Sequence, residues 1–346
     1  MASSLVIALT AALPFLLTRR PVGYWPGIII GLLLLTRPDT GILVALIFVH
    51  WLATRRFRIA AINAAAALVV CAPWLIYAWH TFGDVVPASL RAKLAYAWYA
   101  GHFGLGIFVD CCLCGQWIVA IGWVVLAAAG ALYLVRRERD LTPLALWPLV
   151  YWAVMTARAP NFAWYYAPPL WVLWALAFLG AHDLGKHLPR LRWTPAATIA
   201  AILVTVSILG VLSPISGDVR HVPLSRIGKY LARNTPPDAS VAAFEVGKVA
   251  YLSNRRIIDL CGLTSPELLP MLTAADTEAG RLPLLIRHCK PDYIAAMSHH
   301  EAIYRRYGYR LVWRTPIPMH PEAYYGVYQS RNRQQDAVRR MRRDHY

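Results

Sequence analysis

Before Pro214, apolar residues fill eight runs, at about 2–17, 24–35, 42–53, 59–79, 115–135, 141–157, 167–181 and 194–213, with polar residues in the short gaps between them. A helix needs about 20 residues to cross the hydrocarbon core of a bilayer. The pattern therefore predicts an α-helical polytopic membrane bundle over residues 1–214. The second and third runs are too short for upright spans and predict a hairpin of short helices meeting at Thr36-Arg37-Pro38-Asp39. Such helices are tolerated at membrane depth where they line a protein cavity. A charge at the bilayer centre costs about 2.5–3.5 kcal/mol on insertion scales, so Arg37 and Asp39 are expected to face a polar cavity. On spacing alone, a tight surface turn with both charges solvated is equally good.

After Pro214 the texture changes. Ser240–Phe244, Arg256–Leu260, Tyr293–Met297, Tyr309–Arg314 and Tyr325–Gln329 are short and rich in β-formers. Helical patterns lie at Leu224–Asn234, Gly247–Leu252, Leu282–Cys289 and His300–Tyr307. That alternation predicts a small α/β extracytoplasmic domain over 215–330. It contains no glycine-rich dinucleotide fingerprint, so a nucleotide site has no support. Residues 331–346 form a basic tail with six arginines, either solvated or touching anionic lipid headgroups.

A net charge of +17 would suggest nucleic acid as the partner of a soluble protein. Its distribution argues against that, because 15 of the 35 Lys and Arg precede Pro214 and sit in short loops, where they set topology. Arg19, Arg20, Arg55, Arg56, Arg58, Arg136, Arg137, Arg139, Lys186, Arg190 and Arg192 fall at alternate ends of the helices. The opposite ends carry Arg37, Arg91, Lys93 and Arg158. With the richer side cytoplasmic, the chain becomes a multi-pass protein of the inner cell membrane. The Arg37 turn, the loops from His80 to Gly106 and from Arg158 to Tyr166, and everything after Pro214 then face outside. Met1-Ala2-Ser3-Ser4 has no positive n-region and Arg19-Arg20 follows the apolar run, the wrong order for a cleavable signal. A start outside without a signal predicts an upstream piece. The six cysteines show no disulfide framework, and Cys111, Cys112 and Cys114 fit best as small apolar filler.

Leu-Thr-Arg-Pro-Asp after a Gly-Leu-Leu-Leu run resembles a motif of the bacterial GT-C glycosyltransferases, polytopic enzymes related to protein mannosyltransferases and arabinofuranosyltransferases. The outer-loop sequence from Phe82-Gly83-Asp84 through Pro87-Ala88-Ser89 to Ala92-Lys93 is similar to theirs. Tyr165-Tyr166-Ala167-Pro168 resembles their aromatic start of a helix. Leu231–Ala239, Phe244-Glu245-Val246-Gly247 and Arg255–Leu263 look like their carboxy-terminal region. The matches run in order from about residue 25 to 295. The resemblance implies transfer of a sugar from a polyprenyl-phosphate carrier to an envelope glycan or protein on the outer face. The family's carboxylate lies in the first outer loop; by comparison Met1 falls several helices into the fold, and this chain is expected to lack that loop.

Such a transfer needs a base for the acceptor hydroxyl and cations for the departing phosphate. Arg37, Arg91, Lys93 and Arg158 are the candidate phosphate ligands, with membrane lipids around them. Asp39 is a sugar contact or the internal partner of Arg37. Asp84 is a weak base candidate, since a Gly-Asp turn explains it better. His102, Tyr165 and Tyr166 could stack on sugar or prenyl units, although an interfacial aromatic belt explains them better. Asp259, at a strand end, is a candidate acceptor contact or a turn cap. The resemblance leaves room for a divalent cation, but the outer carboxylates make no obvious cluster, and His288-Cys289 with His299-His300-Glu301 matches no standard zinc spacing. Two rival classes remain: a non-catalytic anchored protein whose outer domain binds an envelope partner, and a transporter, for which no repeated half is visible.

Overall fold

The computed structural model describes residues 2–19, 23–95, 117–158, 168–187, 221–274, 278–318 and 320–331. The chain divides into two compact units, Met1–Val86 with Tyr99–Pro214, and Pro87–Trp98 with Ile215–Tyr346.

The first unit holds α1 (Ala2–Arg19), α2 (Trp25–Thr36), α3 (Gly41–Ala53) and α4 (Phe57–Phe82). Helix α5 (Ala88–Ala95) belongs to the second unit; α6 (Trp117–Arg137), α7 (Thr142–Arg158) and α8 (Leu170–His187) complete the first. Helix α2 lies against α1 and α4, α3 against α7, and α6 against α8. Small residues set the closest approaches. A Cβ at Gly31 would stand 2.8 Å from Val70 Cβ, and one at Gly130 would collide with the Leu176 carbonyl. Asn63, fully buried on α4, accepts the Gly27 amide through Oδ1 at 2.6 Å and donates to Ile59 O at 2.9 Å. Ile30, Leu33, Leu43, Trp51, Trp147 and Tyr151 fill the interior between these helices.

This architecture corrects the expected polytopic bundle. Among the described residues, one helix, Phe57–Phe82, is long and apolar enough to cross a membrane; Ser4–Thr18, Trp25–Thr36 and Pro38–Ala53 are apolar but shorter. The 12 residues of α2 rise about 18 Å, against a hydrocarbon core of about 30 Å. Hydropathy reports removal from water without saying whether lipid or protein does the covering, and here the faces of α2, α3 and α7 cover one another.

The second unit is built on a mixed five-stranded sheet in the order β2-β1-β3-β5-β4. Strands β1 (Ser240–Ala243), β2 (Arg256–Asp259) and β3 (Tyr293–Met297) are parallel; β5 (His320–Ser330) runs antiparallel to β3 and to β4 (Tyr309–Ile317). The two-residue period of a strand sends alternate side chains to opposite faces. Val241, Ala243, Tyr293, Ala295 and Val327 pack beneath α9 (His221–Asn234) and α10 (Val246–Ser253), through Leu224, Ile227, Leu231 and Val249. Ala242, Ile294, Ala296 and Tyr328 pack on the other face against α12 (Glu278–Cys289) and α13 (Glu301–Arg306). Ala92 of α5, fully buried, joins that second core with Leu268 and with Leu272 of α11 (Leu269–Leu272). Residues read in the sequence as part of the outer loop from His80 to Gly106 thus include a helix of the α/β unit.

Candidate functional site

The Arg37–Asp39 turn is built by local rules. Pro38 ends the α2 ladder, Arg37 turns extended at φ −153°, and Pro38–Thr40 make one 3₁₀ turn into α3. Thr40 Oγ1 donates to Arg37 O at 2.7 Å, closing the turn. Within it, Arg37 Nε donates to Asp39 Oδ1 at 2.9 Å and a terminal guanidinium nitrogen to Oδ2 at 2.7 Å, a two-pronged ion pair. Tyr151, fully buried on α7, donates its hydroxyl to the same Oδ2. Both charged side chains are 12% exposed, so the solvated-turn expectation fails. A second polar node lies at the other end of α3, where Asp140 Oδ1 is 2.7 Å from Arg56 and 3.5 Å from His50 Nε2.

Of the remaining candidates, Asp84 is the one in the first unit whose side chain is described, and it serves its own turn. Asp84 follows Gly83, whose φ of +67° ends α4, and its Oδ1 accepts the Val86 amide at 2.8 Å. That is turn chemistry, as the Gly-Asp pair suggests. Arg91 lies exposed on α5 in the second unit. Lys93 and Arg158 fall within helices, but their side chains lie outside the described residues, as do His102, Tyr165 and Tyr166 altogether.

In the α/β unit the carboxyl edge of the parallel strands is the usual place for a ligand. Asp259 ends β2 there, fully buried, and its carboxylate is engaged: Oδ1 accepts Cys261 N at 2.8 Å, and Oδ2 accepts Thr264 N at 2.8 Å and Thr264 Oγ1 at 3.1 Å. It caps the turn to Gly262 (φ +69°) and is not positioned as an acceptor contact. At the end of β3, α13 begins with Glu301, which accepts the Tyr324 hydroxyl and pairs with Arg305 at 2.5 Å. Burial pushes the Glu301 carboxyl up, but the hydrogen bonds from Tyr324 and Arg305 and the Arg305 charge outweigh it, leaving the group below the usual glutamate range. Burial and the Glu301 hydrogen bond raise the Tyr324 phenol, and burial with the charges around it raises Tyr328 further. Arg314 lies over the Tyr324 ring at 5.3 Å, and His299 and His300 stand side by side, centroids 4.0 Å apart.

Tyr151 and Tyr324 carried no local signal in the sequence. Each takes its significance from a carboxylate on another element, Asp39 and Glu301. Among the described residues, no group of three or more His, Cys, Asp or Glu is disposed to hold a metal ion.

Residues 216–339 match the model of a family described as a domain of unknown function, DUF8728. No curated protein and no solved structure matches the chain. The family match lies within the carboxy-terminal part of the α/β unit.

Proposed function

We propose that this chain is a membrane-associated glycosyltransferase, or the carboxy-terminal portion of one, taking a sugar from a polyprenyl-phosphate donor to an envelope acceptor. The observation that carries the reading is the Arg37–Asp39–Tyr151 node. A charged pair withdrawn from water into an apolar helical unit costs stability that a solvated turn would not. The same Leu-Thr-Arg-Pro-Asp stretch is the one that resembles the GT-C enzymes. In this reading Arg37 is the phosphate anchor, with Asp39 and Tyr151 fixing its planar fork. As the acceptor oxygen bonds to the anomeric carbon, the bond to the carrier phosphate breaks, the leaving oxygen takes its electron pair, and the hydroxyl proton ends on the released polyprenyl phosphate. Helix α4, which exposes Leu68, Val69, Trp74, Ile76 and Trp79, supplies the membrane contact.

The test is release of polyprenyl phosphate from a radiolabelled polyprenyl-phosphate sugar by membranes containing the full chain. Arg37→Ala should lower turnover by on the order of a hundredfold, the usual effect of losing one preorganised charge donor. Turnover no higher than in membranes lacking the chain would sink the proposal. One observation favours a second reading, a non-catalytic envelope-binding protein: Asp84 and Asp259 are both committed to turns. Saturable capture of an envelope glycan without turnover would establish that reading instead.

A further inference from the structure

The amino edge of the sheet collects cations from five separate segment ends. Arg256 starts β2 opposite Ser240, at the start of β1. Arg233 lies in the last turn of α9, whose end is tied to the same corner by Arg255, donating to Ala232 O at 2.8 Å and Thr235 O at 2.7 Å. Arg287 and Lys290 close α12 just before β3, and Arg287 lies 5.3 Å over the Tyr307 ring. Arg306 ends α13 and Arg310 begins β4, held here by Tyr309 Oη donating to Pro291 O at 2.6 Å. These six cations are all exposed. Against them stand Asp238, Asp292, whose Oδ2 accepts both Ser240 N and Ser240 Oγ, and Glu267, whose charge reaches Cys289. At the opposite ends, Glu245 and Glu301 follow β1 and β3, and Asp259 is the last residue of β2.

We infer that this amino edge docks on an anionic phospholipid surface. Five strands about 4.8 Å apart make an edge about 20 Å wide, a face rather than a groove. Its cations are spread over segment ends and do not follow a single row, which suits a planar array of phosphodiesters better than a nucleic-acid backbone. Five of the six are arginines, whose planar forks bind phosphate oxygens in pairs. The chain carries its own apolar helix, Phe57–Phe82. It also leaves the sheet at this edge, where Arg331 N donates to Gly308 O. The sequence beyond adds Arg333, Arg339, Arg340, Arg342 and Arg343 against Asp336 and Asp344, a polybasic composition suited to an anionic leaflet. The inference is independent of sugar transfer.

The experiment places the full chain in nanodiscs of phosphatidylcholine alone or mixed with phosphatidylglycerol, and follows hydrogen exchange in peptides covering 253–256, 287–292 and 306–310. Phosphatidylglycerol should slow exchange there several-fold, high salt should reverse the slowing, and peptides around Glu301 and Tyr324 should not respond. The R233Q/R256Q/R306Q/R310Q variant, with exposed positions that leave both cores intact, should lose the phosphatidylglycerol effect by about tenfold or more. The matching four-lysine variant should keep most of it. Equal exchange in the two nanodiscs, a glutamine variant that still responds, or stronger protection of these peptides by a DNA or RNA oligonucleotide than by phosphatidylglycerol at equal phosphate would each overturn the inference.

Discussion

The hydroxyl of Tyr151 donates to Asp39 Oδ2 across 112 residues of sequence, joining α7 to the turn between α2 and α3. With Arg37 on the same carboxylate, the contact makes one charge-balanced unit in a setting built of Leu, Ile and Trp side chains. Neither oxygen of Asp39 depends on solvent for a donor.

Removing members of this unit should therefore have unequal effects. Tyr151→Phe deletes one hydrogen bond to a charged group while Arg37 still balances Asp39, and should cost about 1.5–3 kcal/mol. Asp39→Ala leaves a guanidinium without its carboxylate and should cost about 3–5 kcal/mol. Thermal unfolding of the full chain in detergent, run as a double-mutant cycle, checks both. Strict additivity would show that the tyrosine and the aspartate act separately.

The α6–α8 contact should be intolerant of a single methyl group. A Cβ at Gly130 meets the Leu176 carbonyl, and one at Gly180 meets the Leu126 carbonyl, both rigid backbone. Gly130→Ala should lower the melting temperature by several degrees, since overpacking of this kind costs about 1–3 kcal/mol. Gly122, on the same helix with open space around it, serves as the control; there alanine should be neutral or stabilising by up to about 1 kcal/mol.

Arg255 should be irreplaceable by lysine. Its guanidinium donates to Ala232 O, Thr235 O, Thr235 Oγ1 and Ser253 O, satisfying the end of α9 with a planar fork that an ammonium cannot match. Both Arg255→Ala and Arg255→Lys should destabilise the α/β unit, the former by about 2–3 kcal/mol. Full recovery of stability by lysine would show that charge alone matters here.

The α/β unit should weaken at both pH extremes, for different reasons. A carboxyl held below its ordinary value, as Glu301 is, adds stability above the unfolded value of about 4.3 and loses it as pH falls through the lower folded value. A phenol held above its ordinary value, as at Tyr309 and Tyr328, adds stability below about pH 10 and loses it as pH climbs towards the raised value. Equilibrium unfolding across pH, compared with Glu301→Gln, checks the acid side. The substitution should flatten the acid limb and ease the alkaline one only in part, because the Glu301 charge contributes to the raised Tyr328 phenol while burial still holds Tyr309 and Tyr328 up.

Much of the α/β unit was legible because strands announce themselves locally. The five β-rich stretches each became a strand, and Tyr293–Met297 has the expected bounds. Strands β4 and β5 run further than expected, through Pro316 and Pro321. Proline is tolerated there because β4 is an edge strand and the two prolines sit near the turn end of the β4–β5 hairpin, outside the stretch of β5 that pairs with β3. The Arg37 turn was legible for the same local reason, a proline stopping one helix before another begins. The role of Asp259 was not, because only the folded turn shows its two oxygens occupied by Cys261 and Thr264.

By itself the sequence determined where helices break, where strands alternate and where charge is concentrated, since each depends on neighbours within a turn or two. Tertiary structure alone decided what covers the apolar faces, which carboxylates are already spoken for, and that Tyr151 reaches Asp39. It also decided that cations from five segments meet on one sheet edge. Those outcomes are set by contacts between residues tens to more than a hundred positions apart, and no local pattern encodes the register in which such segments meet.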